Sequence, residues 1–189
     1  MMIHQLQVSY AMAQDRLLVR LSTQGGQELR LWLTRSMMKQ LLGHLLQAAG
    51  AAATAPGPLH RHDGSSSSAA LAQFKQQEAL QHADFKTPFK ASASALPIGA
   101  EPLLATTVHL SPLAGGSLRL GFEDSSGASK ASRGFEVTLD APLLHGFMHL
   151  LDLALKEADW GLALSPAPGT HGPAALDAFA GAEPPRYLN

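Results

Sequence analysis

The chain predicts an α+β fold: a duplicated β-β-β-α unit with pseudo-two-fold symmetry and an extra helix in the connection. Three observations predict it. Residues 29–50, LRLWLTRSMMKQLLGHLLQAAG, align without a gap on residues 135–156, FEVTLDAPLLHGFMHLLDLALK, at an offset of about 106 positions. Each copy opens on apolar residues at every second position, the mark of a strand with one buried face, and continues with the i, i+3, i+4, i+7 spacing of an amphipathic helix. Each is preceded by two further alternating runs.

The first unit is expected over residues 1–50. Leu6, Val8 and Tyr10 alternate, then Leu17, Val19 and Leu21, then Leu29, Leu31 and Leu33. The glycine-rich TQGGQ between the second and third runs suits a hairpin turn. Thr34 is a good helix N-cap, because its hydroxyl can accept from an unpaired N–H of the first turn. Met37, Met38, Leu41, Leu42 and Leu45 form the helix stripe, and Gly50 is expected to stop it.

Residues 51–67, AAATAPGPLHRHDGSSS, read as a flexible linker poor in large apolar side chains. Residues 68–85 read as a third helix with a thin stripe of Leu71, Phe74 and Leu80, with Phe85 and Phe89 pinning its end to the body. Pro97 and Pro102 then oppose a helix before the second unit, expected over residues 103–160. Here Leu104, Thr106, Val108 and Leu110 alternate, then Leu118, Leu120 and Phe122, then Phe135, Val137 and Leu139. Asp140 is the expected N-cap and Pro142 suits the first helical turn, where its missing N–H costs nothing. Leu143, Leu144, Phe147, Met148 and Leu151 make the stripe. Residues 161–189 are rich in proline and glycine and predict no packed core; their end, Arg186-Tyr187-Leu188-Asn189, is either a peptide ligand or a plain tail.

Composition bounds the function. The chain of 189 residues is 46% hydrophobic and carries a net charge of −1, which weighs against a dedicated nucleic-acid binder. Without cysteine, neither a disulfide framework nor a thiolate zinc site can form. The N-terminus does not read as a signal peptide, and no apolar run approaches the roughly 18 residues of a membrane span. A cytoplasmic protein without an anchor is expected. Charge is uneven: residues 1–50 hold five bases against two acids, and residues 101–160 eight acids against four bases. Two halves of opposite sign can help each other, or a neighbouring chain, to dock.

The candidate chemistry is sparse. His145, His149 and Asp152 share a helix face at i, i+4, i+7, and imidazole plus carboxylate can hold zinc; the same face is also the polar side opposite Leu144, Phe147 and Leu151. His60, His62 and Asp63 lie in the linker, where binding must first order the chain. No nucleophile elbow, phosphate loop or dinucleotide fingerprint is present, so no enzyme activity and no cofactor are expected. Trp32, with Arg20 and Arg30 as neighbours on the non-core strand face, can stack a base, anchor a protein interface or serve as a second core.

DRLLVRLST, the glycine turn and ELRLWLTR together resemble an uncharacterised family of proteobacterial proteins with an RLL-x-R-L and LRLWLTR hairpin. QFKQQEALQHADF and the terminal RYLN resemble that family as well. No activity is implied by it, and no functional residue carries over. At the level of topology, the hairpin-plus-helix duplication resembles the Pur and Whirly single-stranded nucleic-acid binders, whose units have four strands where three are counted here. The expected function is therefore a non-enzymatic interaction or scaffolding protein that binds a protein partner or itself as a homodimer. The alternative is a single-stranded nucleic-acid binder, with Arg20, Arg30 and Trp32 as its contacts.

Overall fold

The computed structural model describes residues 2–54, 77–78, 81, 87–90, 95–125 and 133–164. The elements run β1 (Ile3–Ala11), β2 (Arg16–Thr23), β3 (Glu28–Thr34), α1 (Arg35–Thr54), β4 (Leu103–Leu104), β5 (Thr107–Pro112), β6 (Leu118–Asp124), β7 (Arg133–Leu139) and α2 (Ala141–Ala158). The fold is α+β. One sheet has the order β1-β2-β3-β4 and the other β5-β6-β7. Both meanders are antiparallel, and among the described strands only β4 runs parallel to its neighbour, β3.

Alternation places the leucines. Leu17, Val19 and Leu21 of β2 lie opposite Leu33, Leu31 and Leu29 of β3, all buried on one face. In the second sheet Leu118, Leu120 and Phe122 lie opposite Leu139, Val137 and Phe135, and of these six only Phe135 is less than fully buried. Because side chains alternate with period two, one register sends every leucine of a strand inward together.

Both expected caps form. Thr34 Oγ1 accepts from the Met37 N–H at 3.2 Å, and Asp140 Oδ1 accepts from the Leu143 N–H at 2.9 Å. Each satisfies one of the unpaired donors at a helix start. Gly50 does not stop α1, which runs on to Thr54. The alanine-rich continuation carries good helix formers, and a single glycine costs too little to end a helix already propagating.

Met38, Leu41, Leu42 and Leu45 of α1 and Leu144, Phe147, Met148, Leu151, Ala154 and Leu155 of α2 join the sheet residues in one hydrophobic core. The helices also pack across the molecule: α2 lies against β1, while α1 contacts β5 and the Ala114–Gly116 turn. Trp160, just past α2, is buried and fastens this arrangement. Its Nε1 donates to Asp15 Oδ1 at 2.8 Å, its ring meets Tyr10 edge to face at 5.9 Å, and its carbonyl accepts from Arg35 at 3.1 Å. Tyr10 also donates to Asp15 Oδ1, at 2.9 Å. The hydrogen bonds from Trp160 and Tyr10 hold the Asp15 carboxyl below its ordinary range.

Two expectations change. Leu104 does not open the first strand of the second meander. Leu103 and Leu104 pair with Leu31 and Trp32 at the edge of the first sheet, and β5 begins only at Thr107. Alternation shows that a residue is in a strand but not which sheet it joins; here Leu103 fills a fully buried place beside Leu31. The two sheets consequently differ, with four strands against three, although the order β-β-β-α recurs. In the tail, Leu162 and Leu164 pack against the core, and residues 165–189 lie outside the described residues. So do most of the expected linker, with His60, His62 and Asp63, and most of the expected third helix. Within that helix Gln77, Glu78 and Gln81 are helical and exposed.

Leu33 and Leu139 are each at most 1% exposed at matching places in their meanders. Truncating either to Ala is expected to cost about 2–5 kcal/mol through lost burial and the cavity left. Urea denaturation of the two variants checks this, and a loss under about 1 kcal/mol at either position would show that its side chain is not packed as described.

Candidate interaction surfaces

The face of the first sheet turned from the core gathers Gln5 and Gln7 of β1, Leu18 and Arg20 of β2, and Glu28, Arg30 and Trp32 of β3. Glu28 is its centre. Its carboxylate is 1% exposed and accepts Arg20 Nε at 2.8 Å and Arg30 Nε at 2.7 Å. Burial pushes this carboxyl up, but the hydrogen bonds and charges of Arg30 and Arg20 outweigh it and hold it below its ordinary value. Glu28 in turn is the main cause that raises Arg30. Arg20 also reaches Gln7 Oε1 at 3.3 Å and stacks over the Phe89 ring, 4.3 Å from its centroid. The Lys90 N–H donates to Gln5 Oε1, so the 87–90 segment lies on this face.

The two arginines therefore come together as expected, but as partners of a buried carboxylate. Sequence spacing hides Glu28 because it begins β3, two residues before Arg30; the antiparallel register with β2 is what sets it diagonal to Arg20. Trp32 is half-buried. It lies between Leu18 of β2 and Leu104 of β4, and its carbonyl accepts the Ala105 N–H at 3.1 Å where the chain crosses to the second sheet. It is thus a junction residue, partly covered by its own chain. Several charges of each half find partners at home, Arg20 and Arg30 with Glu28, Arg133 with Asp124 and Lys156 with Asp152.

His145, His149 and Asp152 do not assemble a metal site. His145 is buried in the core, which lowers its pKa and favours the neutral imidazole. Asp152 pairs with Lys156 at 2.6 Å. Among the described residues no three His, Asp or Glu side chains are placed to hold a metal ion.

The second sheet offers a different surface. Thr107, His109 and Ser111 of β5, Arg119, Gly121 and Glu123 of β6, and Gly134, Glu136 and Thr138 of β7 share its outer face. Gly121 sits in the middle, where an added Cβ would lie 3.5 Å from His109 and 3.6 Å from Glu136. His109 approaches Glu123 at 3.6 Å. Beyond β7 no strand pairs among the described residues. Alternate residues of an edge strand direct their N–H and C=O groups outward, a template for another strand. Nothing in the sequence distinguishes β7 from β3 as an edge, because the distinction depends on where β4 goes. Comparison with family models, with curated proteins and with solved structures found no match.

The Glu28 cluster has a pH consequence. A carboxyl whose folded pKa is lowered adds stability that is present above its unfolded value and is lost as pH falls through the folded value. Glu28→Gln is expected to cost roughly 1–3 kcal/mol near neutral pH, less than a fully buried pair because both arginines reach solvent. The difference from wild type should shrink as pH falls below about 4.5. Urea melts from pH 7 to pH 3 measure it; a gap that stays constant with pH would show that charge is not its origin.

Proposed function

We propose that this is a non-enzymatic interaction or scaffolding protein that takes an extended segment of a protein partner along β7. The observation that carries the reading is the outer edge of Arg133–Leu139, beyond which no strand pairs among the described residues, while β3 is capped by β4. Strand addition gains affinity from main-chain hydrogen bonds and specificity from alternate side chains. Glu136 and Thr138 are exposed there, and Val137 and Leu139 are buried beneath them, so an added strand would meet a polar outer face and an apolar inner one. A second copy of the chain is one such partner, which makes the protein a homodimer.

The alternative, a single-stranded nucleic-acid binder of Pur or Whirly type, draws on Arg20, Arg30 and Trp32. A stacking platform needs an open ring and cations available to phosphate. Here both arginines are committed to Glu28, Phe89 lies on Arg20, and Trp32 is flanked by Leu104. That arrangement supports the protein-binding reading. No described helix is long and apolar enough to cross a membrane.

A display library of short unstructured peptides, selected on the full chain, tests the proposal. Enriched peptides are expected to slow amide exchange across residues 133–139, with little change in β2 and little dependence of affinity on salt. Binding to oligo(dT) that weakens steeply with salt, and that Trp32→Ala abolishes, would carry the alternative instead.

A further inference from the structure

We propose that the outer face of the first sheet is a docking site for a short segment of a protein partner that carries an aromatic side chain, and that residues 87–90 of this chain fill the site until such a partner displaces them. The site lies on the other sheet from β7, so it stands apart from the reading of that edge.

Arg20 makes the seat. A guanidinium donates hydrogen bonds from its edge and stacks through its flat faces. All three nitrogens of Arg20 are engaged along that edge: Nε and Nη2 each lie 2.8 Å from Glu28 Oε1, and Nη1 reaches Gln7 Oε1 at 3.3 Å. Gln7 belongs to β1 and Glu28 to β3, so the group is held from both strands that flank β2. With its donors committed it has little left to hold a phosphate. What it still offers is a flat face, and an aromatic ring is the group that fits a cationic plane. The Phe89 ring takes that place, with its centroid 4.3 Å from the guanidinium carbon.

The seat also reads main chain. The Lys90 N–H, one residue on from the ring, donates to Gln5 Oε1 at 3.1 Å. Gln5 is two residues from Gln7 along β1, on the same face. A ring on Arg20 with the next N–H on Gln5 is a pattern that a segment of another protein can meet as well, and residues 87–90 show how it is met.

The resident segment leaves part of the site unused. Ser22 lies opposite Gln5 on one side and Glu28 on the other, on the face that carries Arg20. Its Oγ is buried and finds no hydrogen-bond partner among the described residues. A buried hydroxyl without a partner is costly, and such groups are few in folded proteins. A partner segment that brings a polar group to Ser22 gains a bond that residues 87–90 do not make. That gain lets it compete with a segment joined to its site by the chain.

Nuclear magnetic resonance of the full chain tests this, with the Arg20 Nε–H signal as reporter and the end-blocked peptide TPFK, the sequence of residues 87–90, as probe. In Phe89→Ala the peptide is expected to shift that signal saturably and to bind about tenfold or more tighter than in wild type, because the resident ring no longer competes. TPAK should shift it in neither. Phe89→Leu keeps the apolar cover and loses the ring; it is expected to behave as Phe89→Ala does, and it carries the test if that variant unfolds. No saturable shift in either variant would overturn the proposal, and so would equal affinity for variant and wild type. Peptides enriched from a display library on Phe89→Ala are expected to carry an aromatic residue, to shift the Arg20 signal and to bind severalfold more weakly once Ser22→Ala is added. Enriched peptides that act only on residues 133–139 would overturn the proposal and leave the β7 reading in place. Peptides that shift the Arg20 signal and never protect β7 would support it while removing that reading.

Discussion

The structure depends on one shared core. Neither meander buries its apolar face alone. Leucines from both sheets meet the stripes of both helices, with α2 packed against β1 of the first meander and α1 reaching β5 of the second. A three-stranded sheet with a single helix is a small unit, and small units bury too little surface to offset the ordering of their chain. Sharing the core solves this for both halves at once. The Trp160 contact with Asp15, Tyr10 and Arg35 completes the arrangement where the end of α2 meets the β1–β2 turn.

The same constraint explains the two sheet surfaces. With the leucine faces turned inward, the other face of the second sheet is left to polar side chains, while that of the first mixes polar groups with Leu18 and Trp32. In the first sheet that face is largely occupied by the chain itself, through Phe89 on Arg20, Lys90 on Gln5 and β4 beside β3. Glu28 pairs with both arginines on this face, offsetting one of their two positive charges. In the second sheet the outer face carries His109, Arg119, Glu123 and Glu136, and the β7 edge has no strand beyond it among the described residues. The two sheets, similar in pattern, thus differ in what lies beside the third strand of each meander: β4 beside β3, and no strand among the described residues beside β7.

Much of this is legible in the residues. The strands at Leu17–Leu21, Leu29–Leu33 and Leu118–Phe122 follow from period-two alternation, and the two helix starts follow from Thr34 and Asp140. Those are local facts, decided by side-chain parity and by the unpaired N–H groups of a first helical turn. The end of α1 is not legible from Gly50, which lies in a run that favours helix anyway. The fastening role of Trp160 is not legible either, because a lone aromatic after a helix carries no period and its partner Asp15 is far away in the chain.

The sequence by itself thus determined the fold class, the faces that turn inward and the caps. Only the tertiary structure decided that Leu103 and Leu104 join the first sheet, that Glu28 sits between Arg20 and Arg30, that His145 is buried in the core and that β7 has no strand beyond it among the described residues. The reason is the range of the forces involved. Alternation and capping act between neighbours along the chain. Strand partnership, charge pairing and the cover of an edge depend on which distant segments the shared core brings together.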